Sequence, residues 1–318
     1  MYLKNEEVKK RYSIFPIKNP DLWEAYKNAE KQTWVAEEID LSEDNYDGLL
    51  DKEKAYLKNI LAFFTISDGL VIENLCDNVI TNVNIEEASF YYRHQAFIEG
   101  VHANMYSLLI DTYIKDHKER EDLFNAMETN PAVAAKAQWA ENWLTQGTFV
   151  EKLIAFACVE GIAFSSVFAG VFWFRDRNKM PGLADANQLI IRDESSHYEF
   201  ALLLYKNYVK KEYQPSKERI KEIILSCYDV ENVFVAESMP QGLQGLSKDM
   251  MVQYVQFVVD IVLNDFIGVT HFNVRNPLDY MAKIGLSVKN NFFERRIGDY
   301  TRVDIPTDSS DIFDNEDF

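Results

Sequence analysis

Five histidines occur in the 318 residues, and two of them close a Glu-x-x-His: Glu99-Gly-Val-His102 and Glu194-Ser-Ser-His197. Residues three apart on an α-helix lie about 60° apart around the axis and about 4.5 Å along it. One helix face can therefore offer a carboxylate and an imidazole to the same ion. Around these motifs Gln95, Glu99, His102, Tyr106 and Leu109 share one face, and Ile190, Glu194, His197, Ala201 and Leu204 share another. Two further acids interrupt apolar helical stripes. Asp68 falls among Leu61, Phe64, Ile72 and Leu75, and Glu160 among Phe156, Phe164, Val167 and Phe168. Any one of these groups alone is more simply a core polar residue satisfied by a local hydrogen bond. All six together would make an expensive core unless something binds them. Four carboxylates and two imidazoles suit a pair of cations of the iron or manganese type, whereas structural zinc prefers thiolates or one four-ligand site. The spacing predicts a dinuclear metal centre inside a four-helix bundle.

The elements that must hold such a centre are readable as helices. From about residue 52 to 275 apolar residues recur at three- and four-residue spacing, broken at 82–84, 130–131, 180–182, 214–215 and 239–242. No period-two alternation or internal repeat is seen, and 12 Gly with 8 Pro are few for a sandwich or barrel. An all-α protein is expected, with residues 1–50 as an N-terminal arm, 51–297 as the helical domain and 298–318 as a tail. Leu153–Phe174 carries Glu160 as its only charge over 22 residues. Hydropathy alone would let it cross a membrane, but it equally fits the central helix of a large bundle, which is the favoured reading.

Composition narrows the partners. The sequence holds 33 basic and 51 acidic residues, a net −18, which argues against a nucleic-acid or anionic-membrane surface. Residues 299–318 hold seven of the acids against Arg302 alone, and this polar, aperiodic stretch reads as disordered in isolation. Three cysteines without a C-x-x-C speak against a disulfide framework and for a reducing, cytoplasmic setting. The N-terminus shows no apolar run of a secretory signal, and there is no G-x-x-x-x-G-K-[ST] phosphate loop.

The stretches LAFFTISDGLVIENL, EGVHANMYSLLIDTYIKD, FACVEGIAFSSVFAGVFW, MPGL, IRDESSHYEFA, NPLDYM and NFFERRIGDY, in this order, resemble the small, radical-generating subunit of class I ribonucleotide reductase. The likeness is strongest to the eukaryotic and DNA-virus branch and runs from Trp34 to the C-terminus. It implies a ferritin-like dimetal-carboxylate helical bundle with extra helices, working as a homodimer. By resemblance Asp68, Glu99 and His102 hold one metal and Glu160, Glu194 and His197 the other, as two irons per chain; manganese fits the same ligands. Tyr106 falls at the family's radical position, one turn beyond His102, with Phe164, Phe168 and Ile190 as its apolar pocket. Trp34 and Asp193, together with His102, resemble the radical-transfer path, and Tyr300 the relay tyrosine of the tail. Phe313 and Phe318, in IFDNEDF, resemble the anchor that docks in the large catalytic subunit. The implied activity is dioxygen-dependent oxidation of Tyr106, relayed to the large subunit to reduce ribonucleotides to deoxyribonucleotides. The rivals are another dimetal oxidase on the same bundle (a ligand-binding oxidase or a desaturase), an iron-storage protein, and a membrane protein anchored through 153–174.

Overall fold

The computed structural model describes residues 2–4 and 13–284. Its body is built from α1 (Pro20–Lys31), α2 (Asp51–Asn74), α3 (Glu86–Tyr113), α4 (His117–Phe124), α5 (Pro131–Thr145), α6 (Phe149–Cys158), α7 (Ser165–Arg175), α8 (Pro181–Leu203), α9 (Lys217–Ser238) and α10 (Lys248–Ile267). Among the described residues there is no strand, only the isolated bridges Leu3–Val209 and Leu243–Leu246.

The helix ends follow from local chemistry. Pro131 opens α5 with its ring at the first turn, while the Asn130 side chain accepts from the N–H groups of Ala132 and Val133. Thr148 and Glu151 form a reciprocal capping box at the start of α6. Ser216 and Ser247 cap α9 and α10, and Gly268 ends α10 at φ 73°. All five expected breaks fall between these helices or at their first residues, where Pro131 opens α5 and Pro181 opens α8. Two more lie outside that pattern: α3 stops at Tyr113 before Asp116 caps α4, and Gly147 turns at φ 88° between α5 and α6.

The helices α2, α3, α6–α7 and α8 pack around one interior, with α1, α4, α5, α9 and α10 laid against them. The arm is part of this core, since Leu22, Trp34, Ala36 and Leu49 are buried in it. By length and composition alone three described helical spans could cross a membrane: Asp51–Asn82, Phe149–Arg175 and Lys248–Ile267. The second is 94% buried inside the protein over its most apolar window, so the all-round apolar stretch is the central helix of the bundle. It is not a continuous α-helix. A π-turn at Val159–Ala163 separates α6 from α7 and carries Glu160.

Where α2 crosses α7, only a glycine fits. A Cβ on Gly170 would lie 2.5 Å from Tyr56 Oη and 2.7 Å from Ile60 Cδ1, and both neighbours are buried. Gly170→Val is expected to cost about 2–3 kcal/mol through overpacking, read as a lower denaturant midpoint. An unchanged midpoint would mean that the two helices can part freely at this crossing.

Candidate metal centre

Asp68 comes from α2, Glu99 and His102 from α3, Glu160 from the π-turn, and Glu194 and His197 from α8. All six are buried, none more than 4% exposed. Ligand atoms of Glu99, Glu160, Glu194 and His197 lie within 4.8 Å of one another. His102 completes the group from the other side.

Two carboxylates stand between the two imidazoles. Glu99 places Oε1 3.0 Å from His197 Nδ1 and Oε2 3.3 Å from His102 Nδ1. Glu194 places Oε2 3.0 Å from His197 Nδ1 and Oε1 3.0 Å from His102 Nδ1. Each carboxylate thus addresses both rings, the disposition a bridging ligand requires. Glu160 places Oε2 3.9 Å from His197 Nδ1. Neither oxygen of Asp68 has a hydrogen-bond partner, and Glu160 Oε2, Glu99 Oε2 and His102 Nδ1 also lack one. Buried polar atoms are nearly always satisfied, so five orphaned donor atoms in one cluster fit cations of the oxygen- and nitrogen-loving kind.

The electrostatics agree. Burial drives the carboxyls of Asp68 and Glu160 well above the usual carboxylate range, with Glu99 and Glu194 adding repulsion. Burial opposes charge on Glu194 too, yet the neighbouring Glu160 carboxyl and the imidazoles of His102 and His197 hold its carboxyl well below that range. The two imidazoles are raised, because the surrounding carboxylates outweigh the burial that would keep them neutral. Without metal, this cluster balances its charge with protons.

Around the cluster lie residues with positioning roles. Gln95, on the inward face of α3, donates from Nε2 to Glu99 Oε1 at 3.2 Å and to Glu160 Oε1 at 3.1 Å. Its place one turn before Glu99 is visible in the sequence, but its role is not. Asp193 Oδ2 lies 3.2 Å from His102 Nε2 and accepts from Trp34 Nε1 at 2.8 Å. Its Oδ1 accepts from Arg192 Nε and Nη2. Trp34, Asp193 and His102 therefore form one buried hydrogen-bonded chain, and the Arg192 pairing exists alongside it. Despite burial, Arg192, His102 and Trp34 together hold the Asp193 carboxyl below the usual range.

Tyr106 is fully buried and donates its phenol proton to Asn187 Oδ1 at 2.7 Å. The amide of Asn187 is held in turn by its own Nδ2 donating to Leu183 O at 2.8 Å. Phe64 stacks on Tyr106 at 4.1 Å between ring centroids. Phe164 and Phe168 pack on Phe64 at 5.7 and 5.3 Å, and Ile190 is buried one turn beyond Asn187. Sequence reasoning missed Phe64 and Asn187 as neighbours of the phenol. The signals were Phe64 one turn before Asp68, and Asn187 two turns before Glu194 on the inward face of α8. Tyr300, Phe313 and Phe318, and the tail from 298, lie outside the described residues.

The family model described as ribonucleotide reductase, small chain, matches residues 11–277. The protein belongs to that family. It is 46% identical over 311 residues to the ribonucleoside-diphosphate reductase subunit M2 of Homo sapiens, an alignment that takes in 96% of this protein and 79% of the human one. It is 44% identical to the ribonucleoside-diphosphate reductase small chain of vaccinia virus (strain Copenhagen), with 95% of each covered. Among solved structures it resembles the Rnr4 homodimer of Saccharomyces cerevisiae, with a TM-score of 0.78 and 31% identity over 90% of this protein and 91% of the yeast one. The fold is the ferritin-like helical fold of these small subunits. The function is that of a ribonucleoside-diphosphate reductase small subunit, an oxidoreductase component, and the other dimetal oxidases are not favoured.

Proposed function

We propose that this protein holds a pair of iron ions and generates a radical on Tyr106 for a large catalytic subunit. The observation that carries the reading is Glu99 and Glu194 each facing both His102 and His197. Asp68, Glu99 and His102 would hold one ion, and Glu160, Glu194 and His197 the other; manganese would suit the same donors. The bound metal supplies one thing, an oxidising equivalent drawn from dioxygen.

The protein's own residues do the rest. Burial and the nearby acids Asp68, Glu194 and Glu99 push the Tyr106 phenol well above its ordinary range, so it waits as the neutral phenol. Asn187 fixes the direction of the O–H, and the ring of Phe64 with Phe164, Phe168 and Ile190 keeps water and reductants away. Asp193 holds the proton on His102 Nε2, which turns Nδ1 towards the carboxylates. The same carboxylate joins Trp34 to the cluster, a route by which oxidation leaves Tyr106 towards Tyr300 and the partner. The tail, with Phe313 and Phe318 as apolar knobs, docks in the large subunit. Two copies associate as a homodimer, a reading supported by the yeast neighbour. Three free cysteines support a cytoplasmic location.

Metal analysis after anaerobic ferrous loading and exposure to air is expected to give two ions per chain. Well under two, with Glu194→Ala binding as much as the unaltered protein, would sink the metal reading. Deleting residues 312–318 is expected to leave metal content and the tyrosyl resonance unchanged while abolishing turnover with the large subunit. Full turnover after the deletion would remove the tail from docking.

A further inference from the structure

Lys136 on α5 and Glu231 on α9 form a buried ion pair, Nζ to Oε2 2.6 Å, with side chains 2% and 0% exposed. Neither residue touches the carboxylate–histidine cluster, and stability does not account for them. Removing two charges from water is costly, and packed apolar side chains of similar volume often do as well or better. Lys136 Nζ also lies over the rings of Phe63 and Phe234, 3.4 and 4.1 Å from their centroids. Those rings offset part of the desolvation but do not explain why a charge is here.

The backbone contacts of the pair supply the reason. Lys136 Nζ donates to the carbonyl of Ala163 at 2.6 Å, the last residue of the π-turn Val159–Ala163. Glu231 Oε1 accepts from the N–H of Ser166 at 3.3 Å, in the first turn of α7. On the same stretch Ser165 Oγ donates to Ile162 O at 2.7 Å. A π-turn widens the ring of the helix by one residue and disturbs the regular i→i−4 ladder, which leaves backbone groups in need of other partners. A cation on the carbonyl side and an anion on the N–H side meet that need at the point where the turn rejoins the α-helix.

We propose that the Lys136–Glu231 pair is a positioning device that holds the π-turn open and so fixes the direction of Glu160. One residue of α-helix is 100° of rotation. If the turn relaxed to a regular α-helix, Glu160 would swing by about that angle relative to α7 and leave Glu99, Glu194 and His197. Gln95, the one side-chain amide that grips Glu160 from α3, is a single hydrogen bond and could not hold the carboxylate against that rotation. The inference rests on the metal-centre reading, since it assigns the pair a role through Glu160 as a ligand.

The test uses the full-length protein, stripped of metal and titrated with Mn(II), with unbound aquo ion counted by electron paramagnetic resonance. Lys136→Met is expected to weaken binding of one of the two ions at least tenfold, the scale seen when partners of metal ligands are removed. Lys179→Met breaks the Lys179–Glu53 pair (2.7 Å), whose lysine is a third exposed, and is expected to change neither affinity. Glu231→Gln keeps the shape and the acceptor for Ser166 N–H, and is expected to weaken the same ion by a smaller factor; it decides the matter should Lys136→Met not fold. Unchanged affinity for both ions in folded Lys136→Met or, failing that, in Glu231→Gln overturns the proposal. Glu160→Ala separates the two levels: loss of an ion there, with none in the pair variants, defeats only the positioning role. No loss in Glu160→Ala defeats the metal reading beneath it.

Discussion

Tyr106→Phe should drop ribonucleotide reduction with the large subunit to background while leaving both metal ions bound. The substitution removes one oxygen from a side chain that is otherwise held by its ring. The stack on Phe64 at 4.1 Å persists, so the wall of the pocket stays closed. What is lost is the hydrogen bond to Asn187 Oδ1, which leaves a buried amide oxygen without its donor at a cost of about 1–3 kcal/mol. A domain of this size tolerates that loss, and the melting temperature should fall by only a few degrees. A phenyl ring has no O–H proton to surrender with its electron, so the oxidising equivalent has nowhere to rest. Low-temperature electron paramagnetic resonance after ferrous loading and oxygen exposure should show no tyrosyl doublet, with metal content equal to that of the unaltered protein. Two other buried tyrosines keep the experiment open. Tyr91 bonds Ser196 at 2.8 Å, next in sequence to His197, and Tyr92 is buried with its hydroxyl unpartnered. A persistent doublet in Tyr106→Phe would move the radical to one of them.

The ligand cluster was legible in the sequence because its signal is local. Glu99 and His102 share a helix face by spacing alone, as do Glu194 and His197, and an acid within an apolar stripe marks Asp68 and Glu160 without knowledge of any neighbour. The helices themselves were legible for the same reason. What spacing cannot convey is contact between faces. Asn187 and Phe64 reach Tyr106 only because α8 and α2 pack against α3, and Lys136 meets Glu231 from 94 intervening positions away in sequence. The π-turn was hidden for a different reason. VEGIA continues the apolar helical pattern of its flanks, and its widening depends on side chains from α5 and α9. Likewise Asp193 reads in sequence as the neighbour of Arg192, and only the placement of α1 and the arm brings Trp34 to its other oxygen.

Removing metal should make stability strongly pH-dependent, and restoring it should abolish the dependence. In the metal-free protein the carboxyls of Asp68 and Glu160 and the imidazoles of His102 and His197 all have raised affinities for protons. Each of these groups binds more protons folded than unfolded, so stability falls as pH rises. For the carboxyls the loss begins above the ordinary value near 4, and for the imidazoles above that near 6.5; it continues until each raised folded value is passed. Glu194, whose value is lowered, works the other way, but its contribution is lost only on the acid side, below about 4. Between about pH 5 and 9 the raised groups decide the slope, and the melting temperature of the metal-free protein should decline steadily. Metal replaces those protons, so loading should flatten the profile and release protons into a weakly buffered solution, with affinity rising with pH. Glu160→Gln removes one of the titrating groups, and its metal-free profile should be correspondingly shallower. A metal-free protein equally stable at about pH 5 and pH 9 would mean that the cluster balances its buried charge without protons. The orphaned oxygens of Asp68 and Glu160 would then need an explanation other than metal binding.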